Sequence, residues 1–440
     1  MAAGSALHQH RRGHLYRKLL PVGRVLLVIG VCAGLELALT MPDGSPLARL
    51  SVLAVAAAAG LWMPVGVILA AAILSVRVLG STAVIGSVGV ADVLLLLVVA
   101  RLAVRMIGAD AVPISVPSQW LLLFTLWLWL ATILSHESIT PILRLTLYVL
   151  LAVVLASAAS PKTRTIYLIL ILYAAAELLI SLPAQLPGRV VGSTVGDPHQ
   201  LSILCLAALA PLLAAVRTFP GRRFLIGFLV FGIFATRTRG AWGALLVILV
   251  VSQMSRLSSR RLVGIMVGFV TAGVILYGPV TQMFGLNASS KGIREQSVLE
   301  GVRAGMEAPV LGKGWNADLS LTGLSRQESD DPSSRTQPFN VFVSVFAFTG
   351  LPGLILWIGF LVHLLRVIIA RTRTGFLFLA AFLAFSLSEM TIYAGALGTV
   401  IFFVYAGICQ RPPEEERRIE PVAADAAGST PLGGVDTPVG

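Results

Sequence analysis

Charged residues are scarce in this chain of 440 residues, of which 12% are charged and 56% are hydrophobic. The mean hydropathy is +0.88. A soluble domain of this size needs a much more charged surface, so this composition excludes a soluble globular protein. Several hydrophobic blocks are long enough to cross a bilayer. We therefore predict a polytopic membrane protein of the all-α class.

Cysteine is also rare, and Cys32, Cys205 and Cys409 all fall in apolar segments. This placement excludes a disulfide framework, and no metal-ligand spacing accompanies it. A small-residue cleavage site is missing after the first apolar run, so we expect that run to remain as a span rather than to be removed as a signal peptide.

Lysine is uncommon, and the formal net charge of +12 comes almost entirely from arginine. The arginines are scattered between apolar segments rather than gathered in one basic patch. This distribution argues against nucleic acid as a partner.

The apolar segments predict a transmembrane helical bundle of about 12–14 spans, several of them short or interrupted by glycine or proline. The predicted spans are 22–40, 47–62, 65–80, 83–104, 119–135, 141–158, 165–182, 200–216, 224–236, 241–255, 262–279, 351–370, 375–393 and 397–409.

The placement of arginine predicts the orientation of the bundle. Basic clusters fall on alternate short connections, which the positive-inside bias assigns to the cytoplasm, so we predict a multi-pass protein of the cytoplasmic (inner) membrane. The predicted organisation is a basic cytoplasmic N-terminus (1–21), a transmembrane bundle (22–280), one large extracytoplasmic loop domain (281–338), C-terminal transmembrane helices (339–409) and a disordered cytoplasmic tail (410–440).

Some basic residues fall on the predicted outer side, against this bias. Arginines at a membrane boundary suit an anionic ligand whose tail lies in lipid, because the guanidinium engages two phosphate oxygens at once. The alternative is that they are solvated and paired with nearby carboxylates. The residues are Arg144, Arg189, Arg237, Arg239, Lys291, Arg294, Arg303, Lys313, Arg326 and Arg335.

Within the polar segment, residues 293–308 predict an amphipathic helix that ends at Pro309. Val298, Val302 and Met306 recur at helical spacing, so we expect this stripe, with Arg294 beside it, to face the protein body. Arg303 has carboxylates at helical spacing and is expected to form an ordinary surface ion pair.

Four short segments form an ordered set of motifs. Residues 188–199 contain Gly-Arg-x-x-Gly and then Asp-Pro-His, and residues 236–241 read Thr-Arg-Thr-Arg-Gly-Ala. Arg294 is followed by Pro-x-x-Gly-x-Gly at 309–314, and residues 340–353 contain Asn and then Gly-x-x-Gly. In this order the segments resemble the motifs of the O-antigen ligase and polymerase superfamily of integral-membrane glycosyltransferases.

The resemblance implies an enzyme that moves a glycan from a polyprenyl-diphosphate carrier to a glycan, lipid or protein acceptor on the extracytoplasmic face, among membrane lipids. It implies no metal and no other cofactor. Positive donors would stabilise the departing diphosphate. The predicted catalytic arginines are Arg239 and Arg294, and the predicted substrate-binding residues are Arg144, Arg189, Arg237, Gly312, Gly314 and Asn340.

The histidine of the ligase motif is replaced by Phe339, which cannot accept a proton. Among the outer carboxylates and histidines, we favour Asp197 or His199 as the base, because they share a segment with Arg189. The missing histidine favours a polymerase over a ligase, and the choice between them stays open. Two alternatives also remain: a transporter or flippase for a lipid-linked substrate, and a non-catalytic assembly partner.

Overall fold

The computed structural model of the chain describes residues 64–78, 83–85, 88–107, 114–157, 163–186, 188–214, 221–253, 289–315, 317, 319, 338, 340–387, 389, 392 and 397–411. In these residues the structure contains twelve α-helices and one short antiparallel hairpin. The predicted all-α class is therefore confirmed, apart from that hairpin.

The first part of the described chain holds a hairpin and eight helices. The hairpin consists of β1 (Ala83–Ile85) and β2 (Val88–Gly89). The helices are α1 (Val65–Val78), α2 (Val90–Ile107), α3 (Val116–Leu134), α4 (Thr140–Ser157), α5 (Thr163–Gln185), α6 (Pro198–Ala214), α7 (Arg222–Ala235) and α8 (Arg239–Gln253).

Four more helices follow: α9 (Ser289–Glu307), α10 (Val341–Arg371), α11 (Arg373–Ser386) and α12 (Leu397–Ile408). By length and composition α3, α4, α5 and α10 can each cross a membrane, whereas α6, α8, α11 and α12 are shorter apolar helices. Each span predicted within the described residues contains a helix. The predicted span 83–104 is wrong at its start, where Ala83–Ile85 and Val88–Gly89 form the hairpin and the helix begins only at Val90. The predicted spans 22–40, 47–62 and 262–279 lie outside the described residues.

Helix α10 is longer than predicted. It begins at Val341, ten residues before the predicted span 351–370. The structure accommodates Gly350 and Pro352 in a kink, where Gly350 takes a φ of 67°. The helix therefore extends beyond the predicted span at its N-terminal end.

Helix α6 lies at the centre of the bundle. From Ile203 onward its residues are apolar on every side, as expected for a helix buried all round. It packs against α5, α7, α8, α11 and α12. Elsewhere in the bundle, α3 packs on α10, α4 on α12, and α1 on α2.

Helices α4, α6, α8 and α12 run in the same direction through the bundle and end together. The last carbonyls of a helix have no partner within the helix and carry partial negative charge, which favours arginine there. We call this end of the bundle the arginine-capped face. The arginine donors and carbonyl acceptors are Arg222 with Leu212 (2.8 Å), Arg373 with Ser252 (2.6 Å), Arg411 with Leu155 (2.6 Å), and Arg371 with Gln410.

The opposite end of the bundle, where α4, α6, α8, α10 and α12 begin, is called the motif face below. The family-like segments described in the sequence lie at this end, in the connections α5–α6 and α7–α8 and in the segment between α9 and α10. The positive dipole ends of these five helices therefore point toward these segments.

Candidate functional site

The loop between α5 and α6 packs on the turn between α7 and α8. Arg189 donates from Nε to the carbonyl of Thr236 (3.0 Å) and from Nη2 to Oγ1 of Thr238 (3.5 Å). The amide of the next residue, Val190, donates to the carbonyl of Ala235 (3.1 Å). The motif segments 188–199 and 236–241 thus meet through the side chain of Arg189, which is 47 residues from Thr236 in sequence.

A buried carboxylate on α5 holds this loop in place. Glu177 is 2% exposed, and its Oε2 accepts hydrogen bonds from the amides of Ser193 (2.9 Å) and Thr194 (3.1 Å). Gln185 adds a bond from the amide of Val191 to its Oε1 (2.7 Å). The sequence analysis did not single out Glu177, although an acid inside an apolar span is a signal that such a residue has a specific partner.

His199 lies between a cation and a carboxylate. Its Nε2 is 3.4 Å from Nη2 of Arg189, and its Nδ1 is 3.3 Å from Oε2 of Glu389. The side chain of Glu389 is only 4% exposed, whereas that of His199 is 28% exposed. Among the described residues, no acceptor is aligned for a hydrogen bond with Nδ1, so the contact with Glu389 is an ion-pair contact. Glu389, just beyond the end of α11, is a residue that the sequence analysis missed.

Asp197 has a structural task at the start of α6. Its Oδ1 accepts a hydrogen bond from the amide of His199 (2.8 Å), and its carbonyl accepts one from the amide of Leu201 (3.0 Å). These are the bonds of an N-cap residue, which satisfies donors that the first helical turn leaves unpaired. The same bonds fix the backbone of His199 beside Arg189.

The turn between α7 and α8 carries the two other arginines of this region. Arg237 has a φ of 51°, in the left-handed region, and Arg239 is the first residue of α8. Thr236 is buried, and its Oγ1 lies 2.8 Å from Oγ of Ser202 on α6. The turn is thereby anchored to the central helix, and both half-buried arginines lie at the N-terminus of α8.

Asn340 caps α10 and ties it to the end of α11. Its Oδ1 accepts from the amides of Phe342 (2.9 Å) and Val343 (3.2 Å), while its Nδ2 donates to the carbonyl of Leu387 (3.0 Å). Leu387 precedes Glu389 by two residues, so Asn340 holds the segment that presents the carboxylate to His199. Phe339, next to Asn340, lies outside the described residues.

The segment after α9, residues 309–314, is hydrogen-bonded to the kink in α10, and we call this contact the glycine lock. The amides of Lys313 and Gly314 donate to the carbonyls of Ala347 (2.9 Å) and Phe348 (3.1 Å). In return, the amide of Leu351 donates to the carbonyl of Pro309 (2.8 Å). The kink at Gly350 therefore leaves no gap in hydrogen bonding at these positions, because the loop supplies the missing partners.

Glycine is required at this lock. A Cβ on Gly312 would lie 2.3 Å from the carbonyl carbon of Phe348, and one on Gly350 would lie 2.3 Å from the carbonyl oxygen of Val310. Gly314, also with a positive φ, lies against Glu137 and Ser135 at the end of α3. The atoms that these glycines approach so closely belong to the protein itself.

Two tryptophans complete the attachment of this segment to α3. Trp127 donates from Nε1 to the carbonyl of Thr349 (2.8 Å), and the amide of Trp315 donates to Oγ1 of Thr132 (3.2 Å). The ring of Trp315 packs edge-on against Phe348, with a centroid distance of 5.7 Å. Residues 309–315 are thus fixed to both α3 and α10.

The predicted helix in the polar segment is present as α9, but its packed face differs from the prediction. Ser297, Gly301, Ala304 and Gly305 are buried, whereas Val302 and Met306 are 40% and 68% exposed. The expectation that the valine and methionine stripe faces the body is therefore wrong for these two residues. Small residues prevail because they let the helix axes approach closely.

For Arg294 the structure gives the position in α9, which agrees with the predicted side of the helix. It lies seven residues before Gly301, and seven residues return a helix to nearly the same face. Its position is therefore on the side of α9 that packs against α10, and its side chain lies outside the described part of the structure.

Other basic residues at this end are in ion pairs. Arg144 donates from Nε to Oδ2 of Asp92 on α2 (3.1 Å). On α9, Glu307 contacts both Arg303 (3.3 Å) and Lys313 (2.9 Å). The hydrogen bond and the charge of Lys313, with a smaller effect of Arg303, hold the pKa of Glu307 below its ordinary value. The predicted surface ion pair of Arg303 is confirmed.

The structure thus brings Arg189, His199, the 236–239 turn and the Asn340–Glu389 connection to one region of the motif face. In the described residues, no three His, Cys, Asp or Glu side chains are grouped as metal ligands. Arg144, in its ion pair with Asp92, and the 312–314 turn, bound to α3 and α10, are held by contacts of their own.

Comparison with known proteins supports the family assignment. Residues 224–358 match the family described as O-antigen ligase. The matched region runs from α7 through the 236–239 turn, α9 and the glycine lock into α10, and it begins after the Arg189–His199 loop. No curated protein matches the chain significantly. With its four apolar helices that can each cross a membrane, the chain is a multi-pass membrane protein, and its residues 224–358 are similar to the O-antigen ligase family.

Proposed function

We propose that the protein is a glycosyltransferase that transfers or polymerises a polyprenyl-diphosphate-linked glycan at the extracytoplasmic face of the cytoplasmic membrane. One observation carries the proposal: Arg189 joins two family-like segments, contacting Thr236, Thr238 and His199 at a single point of the motif face. The family match over residues 224–358 supports the same class of reaction.

The donor diphosphate is the natural ligand for the positive charge at this point. Arg189, Arg237 and Arg239 belong to adjoining segments there, and α6 and α8 direct their positive dipole ends to the same side. When the anomeric C–O bond breaks, the bonding pair leaves on the diphosphate oxygen. Fixed guanidinium groups stabilise that charge more in the transition state than in the bound donor.

Arg239 and Arg294 remain the proposed catalytic arginines. Arg239 begins α8 within the matched region, and Arg294 occupies the side of α9 that packs against α10. A bidentate guanidinium fits two oxygens of one phosphate, which an ammonium group does not. We assign both to the stabilisation of the departing diphosphate.

The contacts favour His199 over Asp197 as the base. In the proposed step the acceptor hydroxyl attacks the anomeric carbon, and its proton passes to Nε2 of His199. The carboxylate of Glu389, 3.3 Å from Nδ1, then stabilises the imidazolium. Asp197 uses its carboxylate to cap α6, so we assign it the task of fixing the position of His199.

Donor binding and the proton transfer are coupled in this proposal. Nη2 of Arg189 lies 3.4 Å from Nε2 of His199 and faces the atom that must receive the proton. The donor diphosphate must therefore draw the guanidinium toward itself before the acceptor hydroxyl can reach Nε2. This order would keep Nε2 of His199 blocked by Arg189 when no donor is bound.

The remaining predicted substrate-binding residues are proposed to act through position. Gly312 and Gly314 lock the polar segment to α10, and Asn340 ties α10 to the segment that carries Glu389. Arg144, paired with Asp92, is proposed to join α4 to α2 near the site. Direct contact of these four residues with substrate stays a prediction.

The test uses the purified full chain in lipid nanodiscs with a polyprenyl-diphosphate oligosaccharide as donor. We expect growth of the glycan chain, or its transfer to an added acceptor, with release of the lipid diphosphate in equal amount. Glycan growth on the carrier identifies a polymerase, and transfer to a different acceptor identifies a ligase. Donor binding without release of lipid diphosphate under any acceptor contradicts the proposal.

A further inference from the structure

Helix α9 carries a row of apolar side chains that face away from the protein. Leu299, Val302 and Met306 are 69%, 40% and 68% exposed. Residues at spacings of three and four lie on one side of a helix, so these three form a continuous stripe. We call Leu299, Val302 and Met306 the α9 stripe.

The face of α9 opposite the stripe is the one bound to the protein. A Cβ on Gly301 would lie 2.6 Å from the ring of Pro338, and one on Gly305 would lie 2.4 Å from the ring of Phe346. The helix therefore cannot turn its stripe inward without separating these close-packed surfaces. Exposure of the α9 stripe is a consequence of how α9 packs against α10.

The stripe continues into the exposed surface of a membrane-spanning helix. Val310, four residues after Met306, is 59% exposed, and its neighbour Pro309 accepts a hydrogen bond from the amide of Leu351 (2.8 Å). Beyond that bond, Leu351 and Ile355 on α10 are 52% and 54% exposed. Helix α10 is long and apolar enough to cross a membrane, so its exposed apolar side faces lipid.

A charged edge runs beside the stripe. Arg303 and Glu307 lie on the flank of α9 between the stripe and the packed face, and Lys313 joins them through Glu307. Long basic side chains beside an apolar face are typical of helices that lie in a membrane interface, because their ends reach the headgroups.

We propose that the α9 stripe is immersed in the leaflet on the motif face, so that α9 is an interfacial helix rather than a free extramembrane loop. The lipid-facing surface of α10 continues through Val310 onto α9, and the charged edge lies at headgroup level. This contact does not depend on the proposed transferase activity.

The experiment places an environment-sensitive NBD fluorophore at single cysteines. The background is the full chain with Cys32, Cys205 and Cys409 replaced by alanine, reconstituted in vesicles of phosphatidylethanolamine and phosphatidylglycerol. Leu299→Cys and Met306→Cys carry the probe in the stripe, and Arg303→Cys is the matched control on the charged edge. We expect blue-shifted emission, quenching by doxyl-labelled lipid and loss of iodide quenching at the stripe only.

A second copy of the chain that covers the α9 stripe, in place of lipid, would give a different result. No other protein is present in the vesicles, so protection from iodide that disappears when protein is diluted with lipid indicates a second copy of the chain and overturns the proposal. Iodide quenching at Leu299→Cys and Met306→Cys equal to that at Arg303→Cys overturns it as well.

A second variant tests the stripe as a unit. With the probe at Val302→Cys, the pair Leu299→Asp and Met306→Asp should restore iodide quenching, because charged groups are costly in the hydrocarbon. Arg303→Asp in the same background should leave the probe protected. Size-exclusion profiles verify that each variant is folded, and unchanged protection in the double aspartate variant contradicts the proposal.

Discussion

Nδ1 of His199 lies 3.3 Å from Oε2 of Glu389, and the glutamate side chain is almost completely buried. The two residues come from segments 190 positions apart, and the loop that bears His199 is fixed by Glu177 and by the Asp197 cap. A buried carboxylate beside an accessible imidazole is the arrangement that a general base needs, because the carboxylate stabilises the protonated ring.

Replacing His199 by Ala should lower turnover by about a hundredfold with little change in donor affinity, because a base acts in the chemical step rather than in donor binding. Glu389→Gln should lower turnover in the same direction by a smaller factor. Single-turnover release of lipid diphosphate, measured beside donor binding, separates the two effects.

Asp197→Asn is the control for this prediction. Asparagine caps a helix as well as aspartate does, so this variant keeps the cap and removes the charge, whereas Asp197→Ala should lose about 1 kcal/mol of stability. Full turnover in Asp197→Asn excludes Asp197 as the base. Full turnover in both His199→Ala and Asp197→Asn would remove the proposed base altogether.

Arg239→Ala and Arg294→Ala should each abolish glycan transfer while expression stays near that of the unchanged protein. Lysine at either position should restore little activity, since it lacks the planar pair of donors. Arg303→Ala is the matched control: its partner Glu307 keeps Lys313, so transfer should be unaffected. An essential Arg303 together with a dispensable Arg294 would reverse the assignment.

Gly312→Ala and Gly350→Ala should strongly destabilise the protein, because each position combines a positive φ with a backbone atom 2.3 Å from the added Cβ. The left-handed conformation alone costs about 1–2 kcal/mol for a residue with a Cβ. Thermal unfolding in detergent, followed by fluorescence size exclusion, measures the loss.

Gly243→Ala on α8 is the matched control for the glycine lock. An added Cβ there has no neighbour within 4 Å, and alanine is favoured over glycine in a helix by about 0.5–1 kcal/mol. Gly243→Ala should therefore be neutral or stabilising. Equal stability of Gly243→Ala and Gly312→Ala would show that the close approach to Phe348 is not maintained in the membrane.

A cysteine that replaces Arg303 should react with an impermeant thiol reagent in intact cells, and one that replaces Arg223 should not. Arg303 lies on the motif-face side and Arg223 beside the arginine-capped face, and the positive-inside bias assigns the latter to the cytoplasm. Permeabilised cells should show labelling at both positions. Labelling of Arg223→Cys alone in intact cells would place the proposed site in the cytoplasm.

The sequence alone determined the membrane class, the helices and their alternation. Apolar runs of about 20 residues have few alternatives in lipid, since every backbone group must be bonded internally, so each predicted span that the structure describes contains a helix. The start of the predicted span 83–104 is the exception, because it forms the hairpin. The motif order likewise indicated the family, because the residues that carry it are close together within each segment.

Only the tertiary structure decided which polar residues face one another. Glu389 lies just beyond the end of one apolar helix, and nothing in its local sequence shows that it contacts His199. Glu177 lies inside another apolar helix, and nothing near it in sequence shows that it binds the amides of residues 193 and 194. Such partners are set by how helices distant in sequence pack together, which periodicity within one helix does not contain.

Packing between helices also explains which side of α9 contacts the protein. Its valine and methionine spacing predicted an inward face, as in a soluble protein, yet Gly301 and Gly305 form the contact and Val302 and Met306 face outward. In the proposed contact with lipid, apolar side chains gain little by turning inward, and close packing of small residues decides the face instead. The sequence determined that α9 is a helix, and its packing on α10 decided what that helix presents.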